Sequence, residues 1–189
     1  MNIFNRFLSL SEQHQTVVLF LFFLVVFLFG VTLAGQSFII PNAVYQKDIH
    51  IAKQATMKTL HKILTNNLLF ACFLLIGFLS FGLSAIFAII YNGVIVGYAL
   101  QYGVAHIGLL QTLALLIPHG IIEVSTILLL ASFSIRLSIA FAQLLHSGLE
   151  NTRFFSLIFS FHTLMLFGMI IVAAFIETFL TPYIFEYLI

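Results

Sequence analysis

Two glutamates and a histidine lie in stretches of the chain where ionisable residues are scarce. His119 and Glu123 are four residues apart, so on one helix they share a face and stand one turn apart. Glu177 lies near the end of the last apolar stretch. If the last two apolar stretches pack as antiparallel helices, the beginning of one meets the end of the other. The spacing therefore predicts that Glu123 and Glu177 approach each other at similar depth.

Three kinds of role suit this set of side chains. His119, Glu123 and Glu177 form a ligand set for zinc or another divalent metal, although a His-x-x-x-Glu pair is less specific than a His-Glu-x-x-His motif. Two carboxylates in a low-dielectric site do not both ionise readily, so a protonated carboxyl beside an ionised one can act as general acid and base on a peptide or lipid bond. Glu123 and His119 are the candidate catalytic residues. The third role is a hydrogen-bonded polar core. The residues leave open whether the protein is an enzyme, and they favour a non-enzymatic role.

Further polar residues extend the candidate core. Asn66 and Asn67 either cap a helix or join the core through Asn92. Thr181 follows Glu177 by four residues, which places both on one helical face. The predicted polar core consists of Asn66, Asn67, Asn92, His119, Glu123, Glu177 and Thr181.

The composition decides the surroundings in which these residues act. Of 189 residues, 62% are hydrophobic and 7% are charged, whereas soluble domains carry about 25% charged residues. The chain is therefore predicted to be a multi-pass membrane protein in contact with the lipid bilayer. An ionised side chain at the bilayer centre costs roughly 2.5 to 3.5 kcal/mol, which makes intramembrane Glu123 and Glu177 informative. The net charge of +1, with scattered basic residues, excludes a nucleic-acid-binding face.

Apolar runs and helix breakers divide the chain into the segments of a single membrane domain, residues 1–189. The fold is predicted to be an all-α transmembrane bundle. The Asn92-Gly93 pair and Pro118 are expected helix breaks, and one or two short or re-entrant helices are predicted between them, at 94–117. Interrupted helices of this kind build polar sites in membrane proteins. The four full spans are predicted at 17–38, 68–91, 118–145 and 154–182.

The segment 41–67 is predicted to be an amphipathic helix at the membrane surface. It carries four of the seven basic residues, and at about 100° per residue Lys47, Lys58 and Lys62 lie opposite its apolar face. Lysines near the surface suit anionic lipid headgroups. A solvated linker helix that packs on its own protein fits the same pattern equally well.

Several of these residues also carry a resemblance to a known family. Over nearly its whole length, the chain resembles the stage II sporulation protein M family. The most specific matching element is Pro118-His119-Gly120-Ile121-Ile122-Glu123. The other matching elements are Asn66-Asn67 before a glycine-rich apolar span, Asn92-Gly93 with Gly97, and Ala174-Phe175-Ile176-Glu177 followed by Thr181-Pro182.

This resemblance implies a multi-pass protein of the bacterial or archaeal inner membrane. The sporulation member of the family works with two peptidoglycan-cutting proteins during engulfment, as their membrane platform. Relatives in circular bacteriocin gene clusters are linked to maturation, secretion or immunity. We expect no extramembrane domain for cell-wall chemistry in this chain.

Two hypotheses of different classes follow. In the first, the protein is a membrane scaffold for envelope remodelling that recruits envelope proteins or further copies of itself. In the second, His119, Glu123 and Glu177 form an embedded enzyme or metal site that acts on a peptide.

Overall fold

The fold is a bundle of long apolar helices. The computed structural model describes residues 12–35, 56–147 and 153–187, and almost all of these residues are helical. In this part of the chain, five helical stretches are long and apolar enough to cross a membrane, which confirms the predicted all-α transmembrane bundle. The helices are α1 (Glu12–Gly35), α2 (Met57–Ile76), α3 (Leu83–Ile107), α4 (Leu109–Ser147), α5 (Arg153–Ile158), α6 (Phe161–Phe175) and α7 (Thr181–Tyr187). A 3₁₀ turn, Gly77–Ser80, extends α2, and a π-helical segment, Ile176–Leu180, joins α6 to α7.

The core of the bundle forms around α4. This helix contacts α1, α2, α3, α6 and α7, and α2 and α6 also contact each other. Leu130 and Ala131 of α4 are buried, as are Leu74 of α2 and Leu166 of α6. The junction of α2, α4 and α6 is therefore a place where side chains from three helices can meet.

Glycines allow α1 and α3 to approach each other closely. Gly97 of α3 lies against the Phe27 backbone of α1, and Gly30 of α1 lies against the Val94 backbone of α3. Gly93 is buried on the same face of α3. The Gly93/Gly97 pair thus packs two helices of one chain, as small residues do where lipid removes the hydrophobic driving force.

The second span lies earlier in the chain than the sequence predicted. The structure starts α2 at Met57, within the expected amphipathic segment 41–67, and ends its helical extension at Ser80 rather than at residue 91. The reason is a turn at Phe81 and Gly82, whose φ angles are 52° and 89°. Glycine takes this left-handed conformation without strain.

The N-terminal end of α2 also differs from the prediction. Thr56 caps the helix, because its side chain accepts a hydrogen bond from the Thr59 N–H at 3.2 Å. Asn66 and Asn67 lie near the middle of α2, about ten residues after its first residue, and are not caps. Residues 41–55 of the expected amphipathic helix, and residues 36–38 of the expected first span, lie outside the described residues.

The predicted helix breaks in the middle of the chain are not found. α3 continues through Asn92, and α4 continues through Pro118 at the cost of the one backbone hydrogen bond that proline cannot donate. The break falls instead at Gly108, where φ is 88°. The region 94–117 therefore belongs to two full spans, and the described chain has five such spans instead of four plus short helices.

The last predicted span, 154–182, is interrupted near its start. α5 ends at Ile158, and α6 begins after Ser160, whose hydroxyl oxygen accepts a hydrogen bond from the Thr163 N–H at 3.3 Å. This cap fixes the first turn of the helix that leads to Glu177.

Replacing Ser160 by Ala is expected to lower the free energy of unfolding by about 1 kcal/mol, because the first turn of α6 loses its side-chain acceptor. Ser160→Gly is the matched comparison, since glycine at an N-cap costs only a few tenths of a kcal/mol. Denaturant unfolding in detergent measures both values. An alanine variant as stable as the wild type would show that this cap contributes nothing.

Candidate functional site

His119, Glu123 and Glu177 form a cluster inside the bundle. One ligand atom from each residue lies within 4.8 Å of the others, and all three side chains are half-buried. His119 and Glu123 come from consecutive turns of α4, whereas Glu177 belongs to the π segment after α6. The structure thus brings the two glutamates together in the way that antiparallel packing of the last two spans predicts.

The π segment positions Glu177. Within Ile176–Leu180 the helix has a wider turn than an α-helix, and such segments occur frequently at functional sites. The buried Thr178 hydroxyl donates to the Ala174 carbonyl oxygen at 2.7 Å, which satisfies that side chain locally. The sequence predicted Glu177 and Thr181 on one face of a regular helix and did not predict the π segment.

Thr181 contacts the histidine of the cluster. Its side chain is 2% exposed, and its Oγ1 lies 3.4 Å from His119 Nδ1, a long hydrogen-bonding distance. A proton on Nδ1 that points to Thr181 leaves the Nε2 lone pair for a ligand. Metal-binding histidines commonly direct their second ring nitrogen at an oxygen in this way.

A small cavity of about 20 Å³ lies beside Glu123. Asn67 of α2 and Thr126 of α4 line it together with Glu123, and its remaining walls are apolar. The Thr126 hydroxyl donates to the Ile122 carbonyl oxygen at 2.7 Å, so its oxygen can still accept a hydrogen bond. The sequence reasoning missed Thr126, although its position three residues after Glu123 places it on the same helical face.

Asn66 and Asn92 lie away from the cluster. Asn66 is exposed and lines an open groove with Lys58 and Lys62 on the first turns of α2. The Asn92 Nδ2 donates to the Ala88 carbonyl oxygen at 2.9 Å, within its own helix. Of the seven residues proposed for a polar core, the structure therefore places Asn67, His119, Glu123, Glu177 and Thr181 around one region.

In the described part of the chain, the two carboxyl groups of the cluster have no bonded partner. Neither the Glu123 nor the Glu177 carboxylate makes a hydrogen bond or an ion pair with any residue that the structure describes. Two carboxylates this close in a low-dielectric region cannot both stay charged without compensation. The cluster can achieve this by holding a proton or by binding a cation.

Comparison with known proteins finds a family whose model covers most of the chain. The model of the family described as stage II sporulation protein M matches residues 19–182, a range that contains every cluster residue. An uncharacterized protein of Methanocaldococcus jannaschii is 35% identical over 130 residues, which cover 67% of this chain and 73% of that protein. No solved structure matches the chain.

Proposed function

Because the chain belongs to the stage II sporulation protein M family, we propose that it acts as a membrane-embedded scaffold, or subunit, of an envelope-remodelling complex. The protein is an integral membrane protein with five apolar spans in its described part. In this role it holds other envelope proteins, or further copies of itself, in the inner membrane of a bacterium or archaeon.

The location of the clustered polar residues carries this proposal. The 3.4 Å contact of His119 Nδ1 with Thr181 Oγ1 joins α4 to the end of the last apolar stretch, and the Glu123 and Glu177 side chains lie beside it, all within stretches long and apolar enough to span a membrane. A polar side chain in a membrane span would be unsatisfied if it faced hydrocarbon, so it hydrogen-bonds to a neighbouring span instead. Such contacts favour one arrangement of the helices. A fixed helix arrangement is what partner proteins in a membrane complex require for recognition.

A metal centre, structural or catalytic, is the second candidate. The distance of at most 4.8 Å between one nitrogen and two oxygen ligand atoms favours it. Zinc takes histidine and carboxylate ligands at about 2.0–2.2 Å, and such a tetrahedral site holds its ligand atoms roughly 3.4 Å apart. Side-chain adjustments of up to about 1.4 Å would therefore bring His119, Glu123 and Glu177 onto one ion.

A catalytic version of this metal centre would act on peptide bonds. Three protein ligands leave a fourth position for water, as in zinc hydrolases. In this candidate role the protein takes part in peptide processing within the membrane, of the kind that circular bacteriocin maturation requires.

Glu123→Gln discriminates between the two candidates, because it keeps the side-chain volume and most hydrogen-bonding capacity but removes the charge. For a scaffold, we expect the variant to accumulate, to co-purify with the same partners as the wild type and to complement a deletion strain. The matched control is Glu186→Gln, which removes an exposed carboxylate from α7.

Two results would contradict the scaffold. One is a Glu123→Gln protein that accumulates and assembles normally but does not complement the deletion strain, which is the result expected of an embedded enzyme. The other is the absence of any stable partner, including a second copy of the chain, after cross-linking of wild-type membranes. Full complementation by Glu123→Gln contradicts an embedded enzyme, but it is compatible with a metal ion that only stabilises the helix bundle.

A further inference from the structure

The outward face of α2 carries polar side chains where a membrane span normally presents apolar ones. At about 100° per residue, four exposed residues fall within roughly 60° of one another, and they are Lys58, Lys62, Thr65 and Leu69. The buried apolar residues of α2 lie on the opposite side of the helix, against the bundle. The four residues, which we call the α2 stripe, therefore point away from the rest of the protein.

The polar groups of the α2 stripe lack partners in the described part of the chain. Neither lysine forms an ion pair there, and α2 itself contains no acidic residue. Thr65 and the adjacent Asn66, which is also exposed, make no side-chain hydrogen bond with a described residue. These two lie about 12 to 14 Å along the helix from Met57, inside an apolar stretch long enough to cross the bilayer. Because hydrocarbon offers no hydrogen-bond partner, a polar occupant is needed to satisfy them.

The polarity along the α2 stripe changes in the order in which a phospholipid presents its own groups. The two lysines come first, one turn apart, the Thr65 hydroxyl and the Asn66 amide follow, and Leu69 comes about 17 Å after Lys58. All of these side chains line one open groove of about 710 Å³. A phospholipid begins with a phosphate, continues with ester carbonyl oxygens that accept hydrogen bonds, and ends with acyl chains. Two cations without a neighbouring carboxylate favour a headgroup with net negative charge.

We propose that this groove binds an anionic phospholipid. Lys58 and Lys62, whose long side chains extend toward the headgroup layer, hold the phosphate. Thr65 and Asn66 donate hydrogen bonds to the ester carbonyl oxygens, and the acyl chain runs along Leu69. This lipid site goes beyond the scaffold role and depends neither on that role nor on the metal centre, since it lies on the outward face of α2.

A single tryptophan can report on the groove, because the chain contains none of its own. Leu69→Trp places the reporter at the apolar end of the groove. Val25→Trp is the matched control, because Val25 is as exposed (65% against 66%) and lies on α1, a helix without lysine or arginine. The full-length variants are reconstituted in phosphatidylcholine vesicles that contain either acyl-brominated phosphatidylglycerol or acyl-brominated phosphatidylcholine, since bromine quenches tryptophan on contact.

We expect phosphatidylglycerol to be preferred over phosphatidylcholine by at least about 5-fold at position 69, which corresponds to the attraction of one lysine near an anionic surface. At position 25 we expect no preference. In the Leu69→Trp background, replacing both Lys58 and Lys62 by Gln is expected to abolish the preference, whereas replacing both by Arg keeps the charge and should preserve it.

Three results would overturn the lipid site. The first is an equal preference for the anionic lipid at positions 69 and 25, and the second is a preference that survives both Lys→Gln substitutions. The third is a reporter at position 69 that neither brominated lipid quenches, because protein and not lipid would then cover the groove. Should the double Gln variant not accumulate, Lys62→Gln alone is expected to reduce the preference, and an unchanged value would contradict the proposal equally.

Discussion

Glu177→Gln is expected to lower the affinity for zinc by at least about 100-fold if the intramembrane cluster is a metal centre. The amide offers a neutral oxygen in place of a charged carboxylate, so the ion loses one of three protein ligands and half of the charge that compensates it. Loss of a residue that only orients a ligand costs 10- to 100-fold, so direct ligand loss should exceed that range. Competition with a chelator of known affinity, in detergent, measures the difference.

Two comparison variants make this test specific. Glu186→Gln removes a carboxylate that is exposed on α7, and zinc affinity is expected to stay at the wild-type value. Thr181→Val removes the oxygen 3.4 Å from His119 Nδ1 while keeping the shape of the side chain, and an intermediate loss of about 10-fold is expected. Equal zinc affinities of Glu177→Gln and Glu186→Gln would rule out the cluster as the metal site.

The proximity of the cluster residues is the part of the candidate site that the sequence predicted. His119 and Glu123 had to share a helical face, and antiparallel packing of the last two spans brought Glu177 to a similar depth. The inference succeeded because charge is costly in lipid, which leaves few ionisable residues to pair. Metal binding and catalysis at the cluster remain predictions, since they depend on a ligand rather than on the position of the side chains.

The helix boundaries were less predictable, because glycine has two uses that look alike in sequence. Gly82 forms the turn between α2 and α3, whereas Gly93 and Gly97 pack inside a continuous helix. Asn92 and Pro118 resemble helix breakers, but neither ends its helix. The Asn92 side chain donates a hydrogen bond within α3, and Pro118 costs α4 only one backbone hydrogen bond. Only tertiary contacts distinguish these uses, and the same holds for the π segment that carries Glu177.

The largest expected effect on stability comes from the contact of α1 with α3. Gly97→Ala places a methyl group onto the Phe27 carbonyl oxygen and within 2.9 Å of the Val31 nitrogen, and neither backbone atom can move away without the whole helix. Overpacking of this kind costs about 1 to 3 kcal/mol. We expect a loss of that size in the free energy of unfolding, measured by denaturant titration in detergent.

The same substitution at Gly168 is the matched control for this contact. Gly168 lies in α6, and a Cβ built there meets no atom within 4 Å. Because alanine favours a helix over glycine by up to about 1 kcal/mol, Gly168→Ala is expected to be neutral or stabilising, opposite in sign to Gly97→Ala. If both variants change stability equally, close glycine packing does not hold α1 against the bundle. If Gly97→Ala alone is destabilised, the close approach of α3 to the α1 backbone at Gly97 stabilises the bundle.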